Sequence, residues 1–196
     1  MPVSRKPFRI AAAALIAAFV FSVPVSAGAP ATDRLSKISI ENFGRVSDVY
    51  YRGAQPEDDD FADLAALGVK TIIDLTDEPG KGDEARRAGL RFVQIPMSST
   101  TPPTQAQVDE FLRIANDPAH QPVYVHCKGG RHRTGTLTAV YRMSAHGWSA
   151  ERAYKEMLEY DFAYGFGHGK QKKFVYAFGD NLERSRVTAS KATSQQ

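Results

Sequence analysis

Two residues carry the most reactive chemistry in this chain: Cys127, its single cysteine, and Arg133, six positions later. Both lie in Val123 to Gly135, which reads Val-Tyr-Val-His-Cys-Lys-Gly-Gly-Arg-His-Arg-Thr-Gly. Val123, Tyr124 and Val125 are strand formers, so a strand should deliver the thiol to its own end. Gly129 and Gly130 follow, where the backbone can take positive φ and turn its N–H groups inward. From Arg133 the pattern reads as a helix with Leu137, Val140, Tyr141 and Ser144 on one face. Strand, tight loop and helix then bring backbone amides and a helix N-terminus to one point, a nest suited to a dianion.

In such a nest the helix terminus and nearby cations favour the thiolate of Cys127 over the thiol, which makes it a nucleophile. Arg133 offers a planar fork that can hold two phosphate oxygens at once, a task lysine does poorly. Thr134 places a hydroxyl where it can donate to the thiolate or steady the departing sulfur. His126 is expected to brace the loop from a buried position. Lys128 and Arg131 add two cations, and His132 either meets a second phosphate or packs against the loop. The bland alternative is an inert buried cysteine beside a chance glycine-rich turn. A sulfur transferase of the rhodanese kind also holds a cysteine in a loop at a strand's end, but the spacing to Arg133-Thr134-Gly135 fits it less well.

His126-Cys127, five residues, then Arg133-Thr134-Gly135 resembles the signature loop of the cysteine-dependent protein tyrosine phosphatase superfamily. The resemblance extends from about Val46 to Leu182. Tyr51-Arg52-Gly53-Ala54-Gln55-Pro56, the strand ending Ile-Ile-Asp-Leu and the segment reaching Pro96 look like the front half of compact dual-specificity phosphatases. The loop itself is most similar to the atypical plant and fungal branch and its bacterial relatives. The resemblance implies Cys127 and Arg133 as catalytic residues, His126 and Thr134 in support, and phosphate held by Lys128, Gly129, Gly130, Arg131, His132 and Arg133. It further implies a metal-independent, cofactor-free phosphatase working through a thiophosphoryl-cysteine.

One departure stands out. Most of the superfamily that this chain resembles takes its general acid, an aspartate, from a mobile loop upstream of the cysteine. Here that loop should be Pro96 to Pro103, which holds Ser98, Ser99, Thr100 and Thr101 and no acid. The acid is therefore unassigned, with Asp109 the nearest candidate, Asp161 a later one, and Glu110 expected to face solvent. Protonating the leaving group contributes about 10²–10⁴-fold and matters most for a basic leaving oxygen. Its absence argues against phosphoserine and leaves aryl phosphates and phosphoanhydrides, so phosphorylated protein and inositol polyphosphate or pyrophosphate substrates both stay open. A phosphate-binding module that has lost turnover is the reading from another class.

At 196 residues the chain has room for one domain with a full core. Arg5, Lys6 and Arg9, the apolar run Ile10 to Val25 and the small residues Val25-Ser26-Ala27 read as a secretory signal peptide over 1–27, not a retained anchor. Removing those three cations and no acids takes the formal charge from +3 to 0, so the basic balance gives no reason to expect nucleic acid. The expectation is an exported, periplasmic or secreted monomer, off the membrane once cleaved. A lone cysteine excludes an internal disulfide.

Between these landmarks the pattern predicts a flexible lead-in over 28–45, a catalytic domain over 46–186 and a disordered tail over 187–196. Strands are expected at Asp48–Arg52, Val69–Leu75 and Leu90–Ile95. A helix led by Asp58, Asp59 and Asp60 should place Phe61, Leu64 and Leu67 on one face, its acids marking an N-terminus in preference to a metal site. Short helices are expected through Glu84–Ala88, then from a Thr104–Gln107 capping box with Val108, Phe111, Leu112 and Ala115 inward. Ser149 should cap a helix running through Ala153, Met157 and Leu158, with a last helix over Gln171–Leu182. The alternation implies an α/β fold: a mostly parallel twisted sheet of four to five strands flanked by helices, with the phosphate-binding loop between the last central strand and a helix.

Overall fold

The computed structural model describes Leu35, residues 37–163 and residues 167–193. The expected signal peptide and the start of the lead-in lie outside them. Eleven elements follow: β1 (Gly44–Ser47), β2 (Tyr50–Gly53), α1 (Asp60–Ala66), β3 (Thr71–Asp74), α2 (Gly82–Arg87), β4 (Arg91–Gln94), α3 (Gln105–Ala115), β5 (Val123–His126), α4 (His132–His146), α5 (Ala150–Glu159) and α6 (Gly169–Thr193).

The sheet order is β1-β2-β5-β3-β4, with β1 antiparallel and the other pairings parallel. Gly53 and Asp74 both pair with His126, and Asp74 with Gln94, so the parallel strands end together on one edge. That edge is where an open parallel sheet presents its site, and Cys127 is the next residue after β5.

Side chains alternate across the sheet as strand geometry requires. Tyr50, Ile73, Val123 and Val125 join Phe111, Leu137 and Val140 of α3 and α4 on one face, while Tyr51, Ile72 and Tyr124 meet Phe61 and Leu64 of α1 on the other. With both faces covered, β2, β3 and β5 are buried at every position. A third cluster, Ala139, Met143, Ala153, Met157, Phe162 and Val175, locks α4, α5 and α6 together.

Caps behave as the sequence expects. Thr104 and Gln107 form a reciprocal capping box on α3, and Ser149 accepts from the Arg152 N–H on α5. Four expectations need correction. The lead-in is ordered in its later part: β1 begins at Gly44, and Ile38, Ile40 and Phe43 pack into the second core cluster. Ile114, not Leu112, completes the buried stripe of α3. The last helix extends through Thr193, so residues 187–193 are helical and not a disordered tail. Arg186 anchors that extension by donating to the Met143 carbonyl at 2.8 Å. α4 is buried on nearly all sides, not on one stripe, because the sheet, α3, α5 and α6 surround it. Among the described residues no helix is long and apolar enough to cross a membrane.

Candidate active site

Cys127 sits at the C-terminal edge of the sheet and is 4% exposed. The loop that follows is shaped by where its carbonyls go. Gln55 N–H donates to the Lys128 carbonyl at 3.2 Å, Asn42 Nδ2 to that of Gly129 at 2.9 Å, and Arg52 Nη2 to that of Gly130. All three donors come from the β1–β2 side. In a trans peptide the N–H points opposite to the carbonyl, so the N–H groups of Gly129, Gly130 and Arg131 are turned toward the cavity. Gly130 is irreplaceable here: φ is +66°, and a Cβ would lie 2.6 Å from the Ala54 nitrogen.

Arg52 is fully buried, its Nε and Nη1 without hydrogen-bond partners among the described residues and its guanidinium 3.9 Å above the Tyr160 ring. Burial works against its charge, while the Tyr50, Tyr160, Glu156 and Cys127 groups favour it. A fixed cation thus lies beneath the loop on the side away from solvent.

Arg133, near the start of α4, is 8% exposed. Its Nη1 donates to Asp77 Oδ1 at 3.1 Å and to the Met97 carbonyl at 3.0 Å. Those two bonds use both hydrogens of Nη1 and leave the Nε and Nη2 edge as the fork for an oxyanion pair. Asp77 escaped the sequence reading. The signal was the strand register, which ends β3 level with β5 and so brings the segment after Asp74 beside the segment after His126.

His126 is buried beneath the loop, its Nδ1 3.8 Å from Asp74 Oδ1 and its ring stacked near Tyr124. Burial lowers its pKa to about 4, against the pull of Asp74 and of the Cys127 backbone. The Thr134 hydroxyl is buried with no partner among the described residues.

Cys127 and Arg133 form the floor of a cavity of about 520 Å³ whose rim includes Glu41, Ser99, Lys128, Arg131, His132 and His168. The site residues expected from sequence thus converge, with two changes in their surroundings. Arg131 is paired with Glu41 and lies 3.8 Å from Asp161. His132 stacks face to face on His168, centroids 3.3 Å apart and planes 12° from parallel. Asp109 does not reach this cavity: it sits on the exposed side of α3 and accepts from Gln105 at 2.8 Å. A second cleft of about 700 Å³ adjoins the first, sharing Glu41 and Lys128 and lined by Glu57, Asp58, Asp59 and Asp60. Among the described residues no cluster of His, Cys, Asp and Glu could hold a metal ion.

A parallel sheet ending in a cysteine, an amide-lined loop and an arginine at the head of the next helix defines the cysteine-phosphatase fold class. Residues 34–176 match the family model described as "PTP-NADK: DSP-PTPase phosphatase fused to NAD+ kinase", and the chain belongs to this DSP-PTPase phosphatase family. It is 29% identical over 155 residues to the dual specificity protein phosphatase TpbA of Pseudomonas aeruginosa strain UCBPP-PA14, covering 76% of this chain and 70% of that one. It is 33% identical over 108 residues to the inositol diphosphatase DSP5 of Arabidopsis thaliana, 52% of this chain and about half, 53%, of the plant protein. The crystal structure of the catalytic core of the PP-IP phosphatase SIW14 of Saccharomyces cerevisiae superposes with a TM-score of 0.64 at 26% identity, over 78% of this chain and 94% of that one. The chain is thus of the phosphoric monoester hydrolase class.

Proposed function

We propose that this domain, after export to the periplasm or beyond, hydrolyses aryl phosphate monoesters such as phosphotyrosine, as a monomer and without metal or cofactor. The Cys127 thiolate attacks phosphorus in line, the Nε and Nη2 edge of Arg133 and the N–H groups of Gly129 to Arg131 hold the equatorial oxygens, and water then hydrolyses the thiophosphoryl-cysteine. Thr134 donates to the departing sulfur in the second step. The observation that carries this reading is the outward anchoring of three successive loop carbonyls over the Cys127–Arg133 floor.

Charge at the rim supports a singly phosphorylated substrate. Arg131 is neutralised by Glu41, and the adjoining cleft is lined by four consecutive acids from Glu57 to Asp60, of which Lys81 pairs with only Glu57 and Asp58. A highly charged polyphosphate meets repulsion there. The second reading, an inositol polyphosphate or pyrophosphate phosphatase with the same chemistry, is favoured by the exposed Lys128 and by the named plant and yeast relatives.

Phosphate release from a phosphotyrosine peptide, a phosphoserine peptide and inositol polyphosphates, each with and without Cys127→Ser, separates these readings. Cysteine-dependent release with the phosphotyrosine peptide preferred supports the first; preference for the inositol compounds supports the second. Binding of phosphopeptide with no release from any of them supports a binding module.

A further inference from the structure

We propose that His168 donates the proton to the leaving oxygen, filling the role that the acid-free Pro96–Pro103 loop cannot. The assignment rests on the Cys127 phosphatase reading above.

In-line displacement puts the leaving oxygen opposite the sulfur with phosphorus between them. The donor must therefore come from the rim of the cavity and not from its floor, where Cys127 and Arg133 are buried. Of the rim side chains, lysine and arginine hold their protons too tightly and a serine hydroxyl is too weak an acid to serve near neutral pH. Glu41 is committed to its ion pair with Arg131. Two imidazoles remain; an ordinary imidazole exchanges its proton in the neutral range, and burial moves the pKa of His168 below its ordinary value.

The two rings are not equivalent. His132 begins α4 beside Arg133, with His168 stacked on it at 3.3 Å and Phe162 against it at 5.6 Å. His168 comes from a separate segment at the head of α6 and reaches the cavity from outside the phosphate loop. Its Nδ1 is buried and has no hydrogen-bond partner among the described residues. Three residues along, buried Gln171 donates to the Ser99 carbonyl at 3.1 Å. That bond fixes the serine-rich loop beside the histidine, so both occupy the place from which an acid would have to act. His132 serves as the platform that orients the His168 ring.

The step balances. As the S–P bond forms and the P–O bond breaks, imidazolium His168 gives its proton to the departing alkoxide or phenoxide and becomes neutral. Neutral His168 then takes a proton from the attacking water, the P–S bond breaks, orthophosphate leaves, and the thiolate and the imidazolium are both restored.

The test is kcat/KM of the full chain on a series of aryl phosphates whose phenols span a range of acidity, for the native sequence, His168→Asn, His132→Asn and Cys127→Ser. Asparagine keeps a polar side chain of similar reach and removes the transferable proton. His168→Asn is expected to lose about 10²-fold on the least acidic phenol and least on the most acidic, steepening the dependence on leaving group. A thermal melt shows whether α6 is intact in each variant. Equal loss across the series in a folded His168→Asn, no loss at all, or steepening confined to His132→Asn overturns the assignment. Absence of Cys127-dependent release from the native chain overturns the phosphatase reading, and this one with it.

Discussion

Asp77 Oδ1 accepts from Arg133 Nη1 at 3.1 Å, and the Met97 carbonyl accepts from the same nitrogen at 3.0 Å. Two acceptors on one nitrogen set the plane of the guanidinium and leave its other edge open. The Asp77 carboxylate is therefore a clamp on the fork and not a rival for it. Because Asp77 is 58% exposed, the pair adds little to stability.

Replacing Asp77 with alanine should therefore loosen the fork without unfolding the protein. The expected result is a fall of roughly tenfold in kcat/KM, since small misplacements of a positioned group are costly, with a stability change below about 1 kcal/mol. Steady-state kinetics on an aryl phosphate and a denaturant melt of the same preparation measure both. A fall in kcat/KM matched by a large loss of stability would sink the clamp.

Arg52 gives the opposite combination. It is a buried cation whose Nε and Nη1 find no partner among the described residues, while Nη2 anchors the Gly130 carbonyl. Taking a charge out of water carries a large desolvation cost, and exchanging a poorly compensated one for an apolar residue of similar volume relieves it. Arg52→Met should thus melt no lower than the native chain, yet lose activity by about tenfold or more as the loop carbonyl swings free. A variant that melts markedly lower and keeps its activity contradicts this.

His126 predicts a pH dependence of folding. Its pKa falls from an ordinary value near ~6.5 to about 4 on burial. The unfolded chain then binds a proton that the folded chain refuses, so stability decreases as pH falls from about 6.5 toward 4 and levels off below. The loss amounts to about 3 kcal/mol, at 1.36 kcal/mol per pKa unit. Urea melts between pH 7 and pH 4 should show this slope in the native chain and a shallower one in His126→Gln. Equal slopes would mean that other groups carry the acid sensitivity.

The capping box on α3 holds the neighbouring loop as well as the helix. Gln107 donates to the Pro96 carbonyl at 2.5 Å and, through Oε1, accepts from the Thr104 N–H at 2.8 Å. Thr104→Ala should cost about 1 kcal/mol, the usual value of an N-cap, measured by denaturant unfolding. No change in the midpoint would show that the cap is dispensable.

The sequence by itself determined the local chemistry. A run of strand formers ending at Cys127, two glycines and Arg133-Thr134-Gly135 is readable because each residue type there answers to backbone geometry within a few positions. The same holds for the Thr104 and Ser149 caps and for the αβ alternation that implies a parallel sheet. Burial was legible where one face of a helix repeats, as for Val108 and Phe111, and failed where several neighbours surround a helix, as for α4.

Tertiary structure alone decided what meets the loop from far along the chain. β1 is only four residues long, too short for its pattern to mark it as a strand; it forms because β2 offers an edge to pair with. Asn42, Arg52 and Gln55 become loop anchors, Asp77 becomes a clamp and His168 reaches the rim because the strand order β1-β2-β5-β3-β4 brings distant segments to one edge. Asp109, the nearest acid upstream in sequence, faces away because a helix fixes its direction by rotation and not by proximity. Sequence spacing records which groups are neighbours along the chain, whereas the crossovers of a parallel sheet decide which are neighbours in space.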